Sequence, residues 1–357
     1  MSPRLSVIVS SLNGARRVDR CLRALDAQTI RSSLELIVVD DGSADETSDV
    51  ARAYDTILVR HLHNRGVSAA RNSGVGAASA PIVAFLDDDC EPEQQWAEQL
   101  LAGYDNSVVA VGGPLSVGGD SGIIIDYLKR HNPLSPQELE LAKSDKLHYR
   151  LFLYLRRQWM MPKENDRRYV FAIPTANMSV LRQAFLSIGG FDERIRFGSE
   201  DEDLCRRLSY AFPSKRLLFV PEARVTHHFK PSLRDTLRRS RVYGRGSALM
   251  YRKWSHVRPT FFPGPVITLA LLVLSIRLPF LAAVALLLPL FLYPLGLRMA
   301  INEHRVRYLL DSYLQLAQEA SDNIGFIEGL WRYRNFASEL AGISAQPLEP
   351  GHEAEAR

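Results

Sequence analysis

A mostly parallel α/β sheet, covered by helices on both faces, is the fold class that the first hundred or so residues predict. Two observations carry it. Short β-branched runs alternate with helix-like segments over residues 5–111, the pattern of parallel strands joined by helical crossovers. Polar clusters follow several of those runs, at Ser10-Ser11, Asp40-Asp41 and Asp87 to Asp89, and open α/β sheets bind ligands beyond the carboxyl ends of their strands.

The elements follow in order. Leu5 to Ser10 is a strand ending at the turn-forming Asn13-Gly14, and a helix is predicted over about Ala15 to Gln28. Leu34 to Val39 is a second strand, running into Asp40-Asp41-Gly42-Ser43. Ser43 with Glu46 three residues on is a capping-box pattern, which predicts a helix start there. Thr56 to Val59 is a third strand, Val67 to Ala78 a helix, and Ile82 to Leu86 a fourth strand that ends directly in the acidic triplet Asp87-Asp88-Asp89. A helix after Pro92 and the run Val108 to Val111 complete this part. Residues 120–168 mix basic and aromatic residues without a firm period. Beyond them come a turn at Gly189-Gly190-Phe191-Asp192, a helix over Ser199 to Tyr210 and a strand at Leu217 to Val220.

Composition sets further bounds. The 357 residues are 46% hydrophobic and 24% charged, as expected of a globular chain, and the net charge of +4 gives no reason to expect nucleic acid as a partner. Three widely spaced cysteines fit neither a disulfide framework nor a zinc site. No signal-peptide pattern opens the sequence, so the catalytic part is expected on the cytoplasmic face of the cell membrane. Near residue 258 the composition changes. Pro259 to Ile276 and Phe280 to Leu297 are apolar, separated by Arg277-Leu278-Pro279. Each half is close to the lower length limit for crossing a bilayer. Basic residues flank both ends, with Arg252, Lys253 and Arg258 before and Arg298, Arg305 and Arg307 after. The positive-inside rule then favours a transmembrane or re-entrant helical hairpin with both ends in the cytoplasm; the alternative is a hairpin buried in a soluble core. The expected organisation is a catalytic domain over 1–232, a basic amphipathic linker over 233–258, the hairpin over 259–298, a helical region over 299–345 and a disordered tail over 346–357.

Several clusters can carry chemistry. Three adjacent carboxylates at a strand end repel one another unless a cation or solvent offsets them. Magnesium and manganese take oxygen ligands and often combine one or two carboxylates with substrate phosphates. The acidic triplet therefore suggests a Mg²⁺ or Mn²⁺ site, against the alternative of a solvated loop. Asp40 and Asp41 can accept hydrogen bonds from a base edge or a ribose, or simply make a turn. Arg71, within Asn64 to Asn72, can serve as a charge partner for a diphosphate or lie on the surface. Glu200 to Asp203 is either an acidic first helical turn favoured by the helix dipole or the source of a general base. His227-His228 can supply a neutral metal ligand. Arg238, Arg239, Arg241 and Arg245 can meet a phosphate of donor or acceptor, or anionic lipid headgroups.

Taken together, the ordered pieces Ser6-Val-Ile-Val-Ser10 with Asn13, Val38 to Ser43 with Asp45 and Thr47, Asn64 to Asn72, Phe85 to Asp89, Gly189 to Asp192, and Glu200-Asp201 with Asp203 resemble family 2 of the inverting glycosyltransferases. The resemblance covers about Leu5 to His228. It implies a nucleotide-diphospho-sugar transferase (GT-A) fold and a metal-dependent enzyme that uses a nucleoside diphospho-sugar, with UDP-sugars favoured. It makes Ser10, Asp40, Asp41, Arg71, Asp87, Asp88 and Glu200 the nucleotide-sugar-binding set, Asp89 and His227 the metal ligands, and Asp201 the catalytic base. The Gln-x-x-Arg-Trp motif of processive relatives is replaced here by Arg239 to Gly246, which points to transfer of a single sugar. The expected acceptor is a lipid-linked saccharide in polysaccharide or glycoconjugate synthesis. A polyprenyl-phosphate glycosyltransferase and a non-catalytic scaffold of the same fold are the alternatives.

Overall fold

The computed structural model describes residues 2–132, 134–136, 138, 147–159, 165–196, 198–254, 257 and 261–335. The expected disordered tail, the end of the expected helical region, the start of the first apolar stretch and part of the 120–168 segment lie outside the described residues.

Eleven strands and thirteen α-helices are described. The strands are β1 (Leu5–Ser11), β2 (Leu34–Asp40), β3 (Ile57–Arg60), β4 (Ile82–Asp87), β5 (Cys90–Pro92), β6 (Val108–Gly112), β7 (Leu115–Gly118), β8 (Arg168–Val170), β9 (Asn177–Leu181), β10 (Arg216–Phe219) and β11 (Val225–His228). The helices are α1 (Ala15–Asp26), α2 (Thr47–Arg52), α3 (Val67–Ala77), α4 (Trp96–Ala102), α5 (Ile123–Arg130), α6 (Leu147–Trp159), α7 (Arg182–Ser187), α8 (Glu200–Ala211), α9 (Leu233–Lys253), α10 (Pro263–Leu274), α11 (Phe280–Leu292), α12 (Pro294–Asn302) and α13 (Leu309–Arg332).

Eight strands form one sheet in the order β3-β2-β1-β4-β9-β6-β10-β8. The first four are parallel, as the alternating pattern predicts, whereas β9 runs antiparallel between β4 and β6. Successive strand residues face opposite sides of the sheet. Val7, Val9, Val38, Ala84 and Leu86 therefore pack with Val18, Leu22 and Leu25 of α1 and with Trp96. Ile8, Ile37, Val39, Val83 and Phe85 face the other way, toward Ala70 and Val75 of α3 and toward Phe185, Phe191 and Leu204. Strand β1 is central, with β2 on one side and β4 on the other. Its crossovers therefore leave in opposite directions, and a crevice opens beyond its carboxyl end. Register brings the polar ends together there, with Ser10 beside Asp87 and Ser11 beside Asp40.

Several expectations need correction. The capping box at Ser43 does not form, because α2 begins at Thr47. Ser43 Oγ instead accepts a hydrogen bond from the Asn13 amide at 2.9 Å, Thr47 Oγ1 accepts from Gly14 at 3.0 Å, and Asp45 Oδ2 accepts from Ala15 at 3.2 Å. The loop after β2 thus satisfies the orphan donors at the start of α1, where Gly14 has no side chain to do so. The histidine pair, which comes after the strand at Phe219, ends a further short strand, β11, which lies between β5 and β7 in a separate three-stranded sheet. The predicted basic linker is the 21-residue helix α9.

The apolar hairpin is present as α10 packed on α11, but the helices are 12 and 13 residues long, because Tyr293-Pro294 ends the second one early. Among the described residues no single helix is long and apolar enough to cross a membrane; α11 and α12 together pass that test but are bent by 75°. Helix α13 packs along α9 through glycines. A Cβ built on Gly244 would lie 1.9 Å from the Asp322 carbonyl oxygen, and one on Gly325 would lie 2.0 Å from that of Arg241.

Backbone atoms of a helix cannot yield to a new side chain without shifting the whole packing. Gly244→Ala should therefore destabilise the protein by about 1–3 kcal/mol. By contrast Gly76→Ala, in α3 with open space around its Cβ position, should stabilise by about 0.5–1 kcal/mol. Thermal unfolding of the two variants beside the parent checks both signs.

Candidate active site

The crevice is a cavity of about 740 Å³. Its floor is the carboxyl ends of β1 and β4, and its walls come from α3, the 172–176 segment, the start of α8 and one face of α9. Ser10, Asp41, Arg71, Asp87, Asp88, Asp89, Glu200, Asp201 and His227 all line it. Asp40 does not. Its carboxylate is fully buried in the turn, accepting hydrogen bonds from the Ser43 amide at 2.7 Å and from the Ser48 hydroxyl. These local partners hold Asp40 below the ordinary carboxylate range despite the desolvation that works against them. Asp40 shapes the loop and is not placed to meet a ligand.

Asp41 is in the wall, but its oxygens are engaged. Oδ1 accepts from the Arg65 amide at 2.9 Å and faces His61 Nδ1 at 2.6 Å, and Oδ2 accepts from the Gly66 amide at 2.9 Å. Gly66 has a φ of +97°, a backbone conformation that suits glycine. That kink lets two successive amides point at one carboxylate just before α3 starts.

The acidic triplet divides into three different environments. Asp88 is buried and held by Arg17, with Nε to Oδ1 at 2.9 Å and a terminal nitrogen to Oδ2 at 3.0 Å, and by the Ser11 hydroxyl. Asp87, at the end of β4, accepts from Arg71 at 2.8 Å. The same guanidinium donates to Glu200 Oε1 at 3.0 Å and lies over the Phe191 ring. Arg71, only 3% exposed, therefore ties the end of β4 to the start of α8. The sequence suggested a charge partner for a diphosphate; the structure gives Arg71 two carboxylates already. Asp89 has neither arginine. Its Oδ1 is 3.3 Å from His227 Nε2, and desolvation followed by the charges of Asp87 and Asp88 pushes its carboxyl well up.

The small sheet accounts for that pairing. His227 on β11 is in register with Cys90 on β5, and the His228 amide donates to the Asp89 carbonyl at 2.9 Å. Burial pulls the imidazole of His227 down to about 4, so it stays neutral. Among the described residues its Nδ1 has no hydrogen-bond partner, while Nε2 is the nitrogen that faces Asp89. A neutral, buried imidazole beside a carboxylate fits a divalent cation. Cys90 Sγ falls within the same cluster, whose ligand atoms all lie within 4.8 Å of one another. Burial raises its thiol well above the ordinary range, which disfavours the thiolate that would ligate.

Asp201 is in the first turn of α8, after Gly198 and Ser199, both in left-handed conformation. Among the described residues it makes no ion pair, unlike Glu200 with Arg71, Glu202 with Arg206 and Asp203 with Lys253. Its Oδ1 accepts from the Glu202 amide at 2.8 Å. Desolvation, then the adjacent Glu200 charge, raise its carboxyl to about 7. An unpaired carboxylate with that affinity for a proton is suited to general-base chemistry near neutral pH.

The sequence reading missed several wall residues. Arg17 lies one turn into α1 and had no motif to mark it. The 172–176 segment and the Tyr243-Ser247 face of α9 also line the cavity. For α9 a signal existed, because residues 239, 243 and 247 recur at one-turn spacing on one helix face.

The sequence profile described as "Glycosyl transferase family 2" matches residues 6–170, and that of "Glycosyl transferase family group 2" matches residues 145–301. The chain belongs to family 2 of the glycosyltransferases. Within the family it is 34% identical over 247 residues to the pre-mycofactocin glycosyltransferase of Mycobacterium tuberculosis, a match covering 68% of this chain and 46% of that protein. This family 2 chain thus spans about half the length of that curated relative. It is 28% identical to the glucosyl-dolichyl phosphate glucuronosyltransferase of Haloferax volcanii, covering 63% of this chain and 69% of that one. Among solved structures it resembles a mannosyltransferase from Pyrobaculum calidifontis in complex with GDP-Man and Mn²⁺, with a TM-score of 0.56 at 19% identity over 93% of this chain and 88% of the other. That likeness shows the GT-A-like α/β fold expected from the sequence.

Removing the bridge between β4 and α8 should be costly, because Asp87 and Glu200 would be left facing each other without a cation. Arg71→Met should cost about 3–5 kcal/mol. Arg71→Lys should recover only part of this, since one ammonium cannot reproduce a planar fork reaching two carboxylates. Urea unfolding of the three proteins measures the ranking.

Proposed function

We propose that this chain is an inverting glycosyltransferase that moves one sugar from a nucleoside diphospho-sugar to a hydroxyl of an acceptor. The observation that carries the reading is the separation of the cavity's carboxylates by environment. Asp87, Asp88 and Glu200 are charge-paired, while Asp89 and Asp201 are not. Family membership supports the same reading. Asp201 takes the proton from the acceptor hydroxyl as that oxygen attacks the anomeric carbon, and the nucleoside diphosphate leaves from the opposite face. The bond from oxygen to the anomeric carbon forms as the sugar–phosphate bond breaks, so the configuration inverts. Asp89 and His227 would hold a Mg²⁺ or Mn²⁺, which would offset the negative charge growing on the diphosphate. The nitrogen donor favours Mn²⁺ of the two, since Mg²⁺ takes oxygen ligands. Ser10 lines the floor beside Asp87, where the nucleotide would lie.

The acceptor we propose is lipid-linked, and the chain is attached to a membrane from the cytoplasmic face. The exposed apolar side chains of α10 and α11 support this. Leu269, Val273, Leu274, Phe280, Leu286 and Phe291 are each more than half exposed. At about 1.5 Å per residue the two helices reach roughly 18–20 Å, less than the hydrocarbon thickness of about 30 Å. The hairpin therefore enters the bilayer and returns without crossing it. The glucosyl-dolichyl phosphate relative accords with a lipid-linked acceptor.

Asp201→Asn should lower the transfer rate by about 10²–10⁴-fold while nucleotide affinity stays near that of the parent. Because the base must be unprotonated, the parent's turnover should fall as pH drops through about 7. Initial rates with a panel of sugar nucleotides and polyprenyl-linked acceptors between pH 5 and 9 test both, and normal turnover by the variant removes Asp201 as the base.

For the hairpin, the double variant Leu274→Glu with Leu286→Glu should release the full chain from liposomes in a flotation assay. Its circular dichroism should be unchanged. Retention of the variant on the liposomes contradicts the attachment.

A further inference from the structure

Four arginines line the cavity: Arg17, Arg71, Arg196 and Arg239. Arg17 is committed to Asp88, and Arg71 to Asp87 and Glu200. Arg196 donates to the carbonyl and side-chain oxygens of Asn64, both at 3.0 Å. Arg239 is different. Among the described residues it makes no ion pair or hydrogen bond, and its guanidinium lies over the Phe229 ring at 4.2 Å from the centroid. Phe229 is buried, and its ring is 4.3 Å from that of His227. His227, Phe229 and Arg239 therefore contact one another in succession, which places the guanidinium in the cavity wall near the carboxylate cluster. Its charge is felt at Asp89 and at His227.

The helix selects this arginine from its basic neighbours. Arg241 pairs with Glu328 of α13, and Arg245 faces the same carboxylate at 3.7 Å. Neither lines the cavity, nor does Arg238. Tyr243, one turn on from Arg239, does line it. Its hydroxyl has no hydrogen-bond partner among the described residues, and burial keeps the phenol protonated as a donor. A stacked guanidinium with its N–H groups uncommitted, next to a phenolic donor, matches the several acceptor oxygens of a phosphate.

We propose that Arg239, with Tyr243, binds a phosphate group carried by a substrate. The inference rests on the sugar-transfer reading above and adds the residue, outside the acidic motifs, that meets the anion. That phosphate is either the terminal phosphate of the nucleoside diphosphate or the phosphate of a lipid acceptor.

The test uses the full-length chain with Mn²⁺ and isothermal titration of UDP, UMP, GDP, GMP and farnesyl phosphate. Arg239→Ala and Arg239→Lys are compared with the parent, and Arg241→Ala serves as a control outside the cavity. Arg239→Ala should weaken one phosphate ligand by about tenfold or more, with Arg239→Lys intermediate and Arg241→Ala within twofold of the parent. Weaker UDP or GDP with unchanged UMP or GMP assigns the donor's terminal phosphate. Weaker farnesyl phosphate with unchanged nucleotides assigns the acceptor. If the parent binds these ligands and Arg239→Ala binds all of them within twofold, the inference is overturned while the sugar-transfer reading stands. If the parent binds none of the five, the sugar-transfer reading itself is overturned, and this inference with it.

Discussion

The bridge from Asp87 through Arg71 to Glu200 is the constraint on which the rest of the site depends. It joins residues 129 positions apart in the chain, between Arg71 and Glu200, across the mouth of the central sheet. Without a buried cation there, the end of β4 and the first turn of α8 would present like charges to each other and move apart. With it, α8 is held against the sheet and Asp201, the next residue, is turned into the cavity. A buried pair of this kind is weak evidence for added stability, because desolvation offsets much of the attraction. Its value lies in register, since few other arrangements satisfy one guanidinium and two carboxylates together.

The same charge accounting explains why adjacent residues differ in chemistry. Six carboxylates converge on the cavity from the triplet and from the start of α8. Arg71 offsets two, Arg17 a third and Arg206 a fourth, leaving Asp89 and Asp201 without an arginine. Both carboxyls are pushed up, each first by desolvation and then by neighbouring charge. Arginine pairing thus divides the carboxylates by role: Asp87, Asp88 and Glu200 tie elements of the fold together, while Asp89 and Asp201 stay without an arginine partner.

How much of this could be read from the sequence differs from element to element. The first four strands and their helices followed from local pattern, because parallel strands buried on both faces are marked by β-branched runs and end in turn residues. The carboxylates were legible for the same reason: Asp87 follows β4 directly, and register then fixes its neighbour as Ser10. What could not be read depends on distant partners. Nothing near Arg17 announces Asp88, which is 71 residues away. Asp40 and Asp41 look equivalent in sequence, yet one is closed off by Ser43 and Ser48 and the other faces the cavity. His227 owes its position to a three-stranded sheet whose members, β5, β7 and β11, are three or four residues each and too short to show a period.

Helix α9 shows what composition leaves out. Its basic residues mark it in the sequence, but the residues that fasten it in place are the small ones and the last ones. Gly244 lets it touch α13, while Gly246 faces the backbone of Gly198, next to the turn that introduces Asp201. At its end the fully buried Lys253 donates to Asp192 at 2.7 Å and lies 2.9 Å from Asp203, and Trp254 Nε1 donates to Asp203 at 3.1 Å. Asp203 is two residues beyond Asp201 on α8. The helix that brings Arg239 to the cavity is thus fastened to the helix that carries Asp201, and α13 connects it in turn to the apolar hairpin. An ammonium buried between two carboxylates tolerates little displacement of either, so α8 and α9 hold one fixed relation. The wall that carries Arg239 and the helix turn that carries Asp201 are therefore parts of the same rigid assembly.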